Sequence, residues 1–356
     1  MVQNFNYNLH DILKFKIVRD KRYGLKDLIN LKFSFFEVET VDNPDITLNI
    51  GRFIPPNENC YLVDHKYHVK EDYFYCKDSG GKAKWEVEIT GFENEHTTIN
   101  FNGVISGFQS FMNPDFIAQS VLLRIIEYKL SRKGYFFAHS AGISKNNRAC
   151  VLAGRGGTFK TSLCMDFIRK AGFEFLGDDR VILHKDMVFS FPMGLNVFGF
   201  MCDHLPNEDS WNIFNKIRFA RYLWDRKDKR DTPIKVGEPS KIESLFFIAK
   251  TNKETITERE IPLKEAVDKL ITNNRLEDFI SLGGMGINSG PFLKYALAYS
   301  FIFPDSPIAT HQSNLERELG SILEKMPILE IEIPSRYDVN TFNKIRSLIE
   351  SKGVLT

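Results

Sequence analysis

Near the middle of the chain the sequence predicts a buried strand, then a glycine-rich loop, then a helix. This order of elements is typical of mixed α/β folds. Residues 150–153, CVLA, are a short apolar run typical of a buried strand. The loop GRGGTFKT occupies residues 154–161, and residues 162–170 have the spacing of a helix. Gly172 follows shortly after two basic side chains, which is typical of a helix C-terminus. We therefore expect a mixed α/β fold in which this loop joins the strand to the helix.

The residue types of the loop suit the binding of a polyphosphate. Glycines let backbone N–H groups turn toward phosphates, and the N-terminus of the following helix adds a favourable dipole. Lys160 supplies a mobile cation for the outer phosphates, and the hydroxyl of Thr161 is placed to bind Mg²⁺. The pattern predicts a site for ATP with Mg²⁺. Its candidate residues are Gly154, Arg155, Gly156, Gly157, Thr158, Phe159, Lys160, Thr161 and Ser162.

One residue departs from the phosphate-loop (Walker A) pattern G-x-x-x-x-G-K-[ST]. Phe159 stands where the second fixed glycine belongs. Phenylalanine is less free than glycine to take unusual backbone angles. The loop is expected to keep the standard path only if this position uses angles open to all residues. The ring would then point away from the phosphates and pack on a neighbouring strand or on the N-terminal domain. The alternative is a loop of different shape, or nucleotide binding that is weak or lost.

Two adjacent carboxylates, Asp178 and Asp179, end the apolar run 173–176 that follows the helix. Such neighbours repel each other unless a cation or solvent offsets their charges. One of them can hold Mg²⁺ together with Thr161, and the other can take a proton from an attacking hydroxyl. The sequence leaves open which aspartate does which. A glycine-rich turn without a ligand, with Lys160 and Thr161 exposed, would leave the acidic pair unexplained.

Residues 130–200 resemble the HPr kinase/phosphorylase-like P-loop kinases, which are related in structure to ATP-dependent phosphoenolpyruvate carboxykinase. The resemblance is carried by His139 in FAHSAG, the hairpin turn KNNR (145–148), the loop GRGGTFKTS and the helix ending AGFEFLGDD. FSFPMGLNV (189–197) is similar to a proline-containing strand of the kinase-like relatives. HPr itself is not expected as substrate, because a segment similar to LEIRGLGI after the acidic pair is absent.

The resemblance implies an ATP-dependent kinase that transfers the γ-phosphoryl group to a hydroxyl of a protein, a peptide or a small molecule. It implies catalytic roles for Lys160, Asp178, Asp179 and His139, the last as a donor to the transferred phosphoryl group or as an orienter of a carboxylate. Two alternatives stay open. Phe159 favours a nucleotide-binding regulatory or assembly protein with a degenerate site. RGGTFKTS also resembles the loop of ParA/MinD-type ATPases, although Arg155 stands where their signature lysine belongs.

The rest of the chain indicates a two-domain organisation, with an antiparallel β-rich domain of unassigned role at 1–110 and the kinase-like domain at 112–356. Asn113 and Pro114 are typical of a helix start. The predicted N-terminal strands are 13–18, 31–40, 45–50, 67–76, 84–90 and 97–103. The predicted C-terminal elements are strands at 245–249 and 328–333 and helices at 263–271 and 339–352.

Two further segments are open to a functional or a structural interpretation. Residues 215–235 are basic, and Arg218 and Arg221 form either a clamp for phosphate or an acidic substrate, or part of a solvated helix face. Nucleic-acid binding by this segment is the third alternative. The glycine-rich segment 281–291 is either a lid over the nucleotide or an ordinary loop.

Charge, hydropathy and cysteine content argue against a nucleic-acid-binding protein, a membrane protein and a disulfide-bonded secreted protein. The net charge of +1 gives no general bias toward nucleic acid or membranes. There is no run of 18 apolar residues, and the N-terminus lacks a signal pattern. The five cysteines are widely spaced and predict buried free thiols in a cytoplasmic protein. Association of identical chains stays open.

Overall fold

The computed structural model describes most of the chain in two compact units. The described residues are 2–20, 32–56, 58–80, 82–106, 115–204, 218, 221, 234–280 and 291–351. The first unit comprises Met1–Gly134 with Arg275–Leu315, and the second comprises Tyr135–Asn274 with Glu316–Thr356. Within the described residues, two nine-stranded sheets and seven α-helices form a mixed α/β protein.

The sheet of the first unit is mixed. Its strands are β1 (Val2–Leu9), β2 (Leu13–Asp20), β3 (Glu37–Val38), β4 (Ile46–Ile50), β5 (Tyr61–Val63), β6 (Tyr67–Lys70), β7 (Tyr73–Gly80), β8 (Ala83–Thr90) and β9 (Thr97–Ile105), in the order β3-β1-β2-β4-β9-β8-β7-β6-β5. The prediction of an antiparallel domain is wrong at the centre, where β2–β4 and β4–β9 are parallel. Alternation along a strand shows which face is buried, but it does not show the direction of the partner strand.

The predicted strand at 31–40 is wrong for most of its length, because Ser34–Phe36 form a 3₁₀ turn and only Glu37–Val38 pair as a strand. Phe33 and Phe36 are both buried. Side chains three residues apart share a face in a helical turn, whereas they point to opposite faces in a strand.

Helix α1 (Phe116–Arg132) packs its apolar face on β2, β4 and β9. The predicted helix start at Asn113 and Pro114 lies outside the described residues. Asp115 precedes the first turn, and its carboxylate is 2.6 Å from the guanidinium of Arg19. Their side chains are 7% and 4% exposed, respectively, so this ion pair is buried between the helix and the sheet.

The second unit also contains a mixed sheet. Its strands are β10 (Phe136–Ala138), β11 (Ser140–Lys145), β12 (Arg148–Gly154), β13 (Glu174–Gly177), β14 (Val181–His184), β15 (Met187–Phe189), β16 (Ser240–Thr251), β17 (Thr257–Glu260) and β18 (Ile328–Pro334). Their order is β10-β14-β15-β16-β12-β11-β13, and β18 pairs with both β16 and β17. The remaining helices in the described part of the chain are α2 (Lys160–Ala171), α3 (Leu195–His204), α4 (Leu263–Ile280), α5 (Pro291–Ile302), α6 (Pro307–Leu323) and α7 (Val339–Ser351).

Several predicted elements of the second unit are confirmed. The hairpin turn at 145–148 joins β11 to β12, with both central asparagines at positive φ. Gly172 ends α2 with φ 68°. The predicted strands and helices after residue 240 are present as β16, α4, β18 and α7. The proline-containing strand at 189–197 is wrong, because β15 ends at Phe189 and a loop leads into α3.

The two compact units do not divide the chain at 110–112, where the sequence predicts a domain boundary. Compact units are defined by contacts alone, so the domain boundary stays a prediction. Helix α1 and Arg275–Leu315 belong to the first unit. Within that unit α5 packs on β6 and α1, and Trp85 donates a hydrogen bond to the hydroxyl of Tyr295 over 2.7 Å. None of the five cysteines forms a disulfide bond; four are buried as predicted, whereas the prediction of burial is wrong for Cys60, which is half-buried. Among the described residues, no helix is long and apolar enough to cross a membrane.

The buried ion pair generates a test of the first unit. We expect Arg19→Met to lower the free energy of unfolding by about 3–5 kcal/mol, because it leaves the carboxylate of Asp115 buried without its cation. Urea unfolding measures the change. Lys253→Met is the control, since Lys253 is exposed and its ion pair with Glu332 is worth at most about 1 kcal/mol. Equal losses in the two variants would contradict the role given to Arg19.

Candidate functional site

Parallel strands bring the loop and the acidic pair to one edge of the second sheet. Strand β12 is parallel to β16, and β16 is parallel to β18. Strand β11 is antiparallel to both of its neighbours, β12 and β13, so β13 runs in the direction of β12. The loop at 154–159 follows β12, and Asp178 and Asp179 follow β13. Both segments therefore lie at the carboxyl edge of these strands, where α/β sheets bind ligands.

The loop passes close to its neighbouring strand. A Cβ atom on Gly154 would lie 2.7 Å from the carbonyl oxygen of Ile248 and 2.9 Å from the hydroxyl of Thr158. The register pairs Gly154 with Ile248, so the loop starts against the backbone of β16. Gly157 has a φ of +79°, and a Cβ atom there would meet nothing within 4 Å. The loop thus presents open backbone at Gly157, where a ligand can approach.

Phe159 has the left-handed backbone conformation, with φ 61° and ψ 21°. The sequence analysis expects the standard loop path only if residue 159 has backbone angles that all residues can adopt. Phe159 does not have such angles. Left-handed angles cost a non-glycine residue roughly 1–2 kcal/mol. The ring contacts offset this strain: its centroid lies 5.4 Å from that of Tyr337 and 4.3 Å from the ammonium of Lys250. The ring thus packs toward the neighbouring strand β16, while the backbone follows a path that usually requires glycine.

Lys160 begins α2, and its side chain turns back over the loop. Its ammonium donates hydrogen bonds to the carbonyl oxygens of Gly154, at 2.6 Å, and Arg155, at 3.1 Å. The residue is only 7% exposed. The hydroxyl of Thr158 also donates to the carbonyl of Arg155, over 2.7 Å. This burial does not fit the alternative in which Lys160 is merely an exposed residue of a glycine-rich turn.

His139 lies between β10 and β11 and faces the acidic pair. Its Nδ1 is 3.5 Å from Oδ1 of Asp179, and the other oxygen of Asp179 is 3.7 Å from the guanidinium of Arg180. Burial lowers the pKa of His139 to about 4; Asp179 opposes this shift, and Lys160, Arg180 and Arg155 add to it. The imidazole is therefore neutral at pH 7. A neutral ring keeps one N–H, so it can orient a carboxylate or donate to a phosphoryl group, but it brings no positive charge to either.

Asp178 is close enough to Cys164, a residue of α2, to act on it electrostatically. Burial raises the pKa of the Cys164 thiol, and the charge of Asp178 raises it further. Within the described part of the chain, no three His, Cys, Asp or Glu side chains form a metal-binding group. Mg²⁺ at nucleotide sites takes few protein ligands beside phosphates and water. Thr161 is half-buried and Asp179 is half-exposed, and both lie at the carboxyl edge of the sheet.

Two asparagines of α4, which the sequence analysis does not identify, hold the strand before the site. Asn274 accepts a hydrogen bond from the backbone N–H of His139 over 2.7 Å and donates one to the carbonyl of Phe137 over 2.9 Å. Asn273 donates to the carbonyl of His139 over 2.7 Å and accepts from Arg155 over 3.2 Å. The asparagines thus connect His139 to the loop. Their position in an ordinary amphipathic helix carries no signal of this contact.

A cleft of about 930 Å³ lies beside the loop. Its walls are the loop residues 154–158, the end of β16, the first turns of α4, Pro262 and Glu330. Phe247, Ile248 and Pro262 supply apolar surface. Charged groups on α4 are paired: Lys264 lies 2.7 Å from Asp268, and Lys269 lies 3.0 Å from Glu265. The cleft has the size of a small-molecule site and combines apolar walls with a few polar groups.

Arg218 and Arg221 are exposed, and most of the basic segment around them lies outside the described residues. The glycine-rich segment 281–290 lies outside them as well, so its role as a lid or a loop stays a prediction. No protein-family model matches the chain, and no curated protein matches it significantly. The resemblance to HPr kinase-like enzymes also stays a prediction.

The conformation of Phe159 can be tested by two substitutions. We expect Phe159→Ala to be less stable than Phe159→Gly by about 1 kcal/mol, because alanine keeps the left-handed strain that glycine lacks. Both variants lose the ring contacts and should be less stable than the wild type. Urea unfolding gives the order. Alanine equal to or more stable than glycine would show that residue 159 has ordinary helical or extended angles.

The pKa of His139 can be measured by NMR, with its resonance assigned from its loss in His139→Gln. We expect a pKa of about 4. Lys160→Met should raise it and Asp179→Asn should lower it, because the lysine disfavours the imidazolium and the aspartate favours it. The folded pKa is below the ordinary value of 6.5, so this residue's contribution to stability is present above pH 6.5 and is lost as the pH falls toward 4. A pKa near 6.5 would contradict the burial of the ring.

Proposed function

We propose that the protein binds ATP with Mg²⁺ at residues 154–162 and transfers the γ-phosphoryl group to a hydroxyl-bearing acceptor. One observation carries the proposal: buried Lys160 begins a helix at the same sheet edge where His139 faces Asp179, beside a cleft of nucleotide size. A glycine-rich loop without a ligand accounts for none of these neighbours. The mixed α/β architecture is compatible with the proposal.

The loop binds the phosphates of the nucleotide, and the cleft binds its base. Backbone N–H groups at the start of α2 have no partners within the helix, and they attract phosphate together with the helix dipole. Lys160 is within reach of these phosphates because its ammonium already lies over the loop. The apolar surface of Phe247, Ile248 and Pro262 suits a nucleobase.

The acidic pair and His139 supply the chemistry of transfer. Bound Mg²⁺ neutralises charge that develops on the phosphates. Thr161 and one of the aspartates are the protein groups that would hold it. The other aspartate accepts the proton of the acceptor hydroxyl, and His139 orients Asp179 through its Nδ1. The acceptor is a protein, a peptide or a small molecule, and a cytoplasmic location is proposed with it.

A second candidate is a nucleotide-binding regulatory protein. The observation that favours it is the state of Lys160, whose ammonium is hydrogen-bonded to two loop carbonyls and would have to exchange these bonds for phosphate. The ParA/MinD-type alternative stays open; in this chain Arg155 stands in place of the signature lysine of those ATPases. The experiment below distinguishes a kinase, which transfers phosphate to an acceptor, from a regulatory protein, which only binds the nucleotide.

The proposal is tested with purified wild type and three variants. We expect the wild type to bind ATP in calorimetry with Mg²⁺ and to consume it in the presence of an acceptor from a panel of peptides and small hydroxyl compounds. Lys160→Met should weaken ATP binding at least about tenfold. Asp178→Asn and Asp179→Asn should each lower transfer at least about a hundredfold while the fold is kept.

The control for the carboxylates is Asp186→Asn, in the exposed turn between β14 and β15, which should leave activity unchanged. Slow release of free phosphate without transfer would indicate an ATPase. ATP binding without turnover would indicate the regulator. Equal ATP affinity in the wild type and Lys160→Met would overturn the site itself.

A further inference from the structure

The cleft beside the loop contains a lysine whose charge is not paired with a carboxylate. Lys250, near the end of β16, lines the cleft together with Gly154–Thr158. Its ammonium lies 4.3 Å from the centroid of the Phe159 ring. Among the described residues, no carboxylate forms an ion pair with Lys250, whereas in the same cleft Lys264 pairs with one carboxylate and Lys269 with two. Lys250 is therefore a cation that an anionic ligand can use without breaking an ion pair.

The strand register places this cation beside the loop. Gly154 pairs with Ile248, and Lys250 follows two residues later on the same strand. In a strand, residues two apart point to the same face. The lysine thus stands where the chain leaves β12 to form the loop, at the carboxyl edge that also carries Lys160.

The ring of Phe159 fixes the position of Lys250. Tyr337 packs against the ring at 5.4 Å between centroids, and its hydroxyl donates a hydrogen bond to Asp166 of α2 over 2.8 Å. The ring is thereby held between an anchored tyrosine and the ammonium. A cation over an aromatic face is attracted by the ring, and it stays available to a further anion.

We propose that Lys250 contacts the phosphates of the bound nucleotide and that Phe159 positions it there. The proposal rests on the proposed nucleotide binding. In this proposal the phenylalanine has a role that a glycine at the same position could not have, because its ring holds a second lysine beside the phosphate loop. The site should therefore select nucleotides by the number of their phosphates. Charge-assisted contacts of this kind strengthen as negative charge accumulates on the ligand.

The test compares binding of ATP, ADP and AMP with Mg²⁺ by calorimetry. We expect Lys250→Met to weaken ATP binding about tenfold, ADP binding less, and AMP binding by no more than about twofold. Lys250→Arg should keep most of the affinity and the thermal stability of the wild type. Lys253→Met is the matched control, because this nearby lysine pairs with Glu332 and does not line the cleft; it should bind like the wild type.

The role of the ring is tested in a double-mutant cycle. Phe159→Leu keeps an apolar side chain and should weaken ATP binding in the wild type, but it should have little further effect when Lys250→Met is present. Additive losses would remove Phe159 from the proposal. Unchanged ATP affinity in Lys250→Met, or an equal loss for AMP and ATP, would overturn the role of Lys250 while nucleotide binding stands. No nucleotide binding by the wild type would overturn the proposed function and this inference together.

Discussion

The candidate site depends on the parallel pairing of β12 with β16. Because the two strands run in the same direction, the loop after Gly154 and the end of β16 at Lys250 reach the same edge of the sheet. The close approach of Gly154 to the carbonyl of Ile248 leaves no room for a Cβ atom at the start of the loop. An antiparallel pair would have placed the end of β16 at the opposite edge, away from the loop.

Burial determines the charge states around this edge. His139 lies among Lys160, Arg180 and Arg155 in a site of low exposure, and desolvation together with these cations keeps its ring neutral. Asp179 is half-exposed and within reach of the ring. The site thus combines a neutral imidazole with a partly solvated carboxylate.

The sequence predicted those features of the second unit that have local causes. The apolar run at 150–153, the asparagine turn at 145–148 and the cap at Gly172 depend on neighbours in the chain, and all three are present in the structure. Two predictions that depended on distant segments of the chain were wrong. Alternation could not reveal the parallel partners of β4, and the proline-containing run at 189–197 ended in a loop and a helix.

Residue order by itself determined the strand, loop and helix around Lys160 and the acidic pair behind them, because propensity, glycine spacing and capping act within a few residues. Only the tertiary structure decided which side chains meet there. Asn273 reaches His139 across more than a hundred residues of chain, and Lys250 and Tyr337 meet on the ring of Phe159 from distant segments. These contacts also decided the left-handed backbone of Phe159, since a strained conformation persists only where surrounding packing offsets its energy.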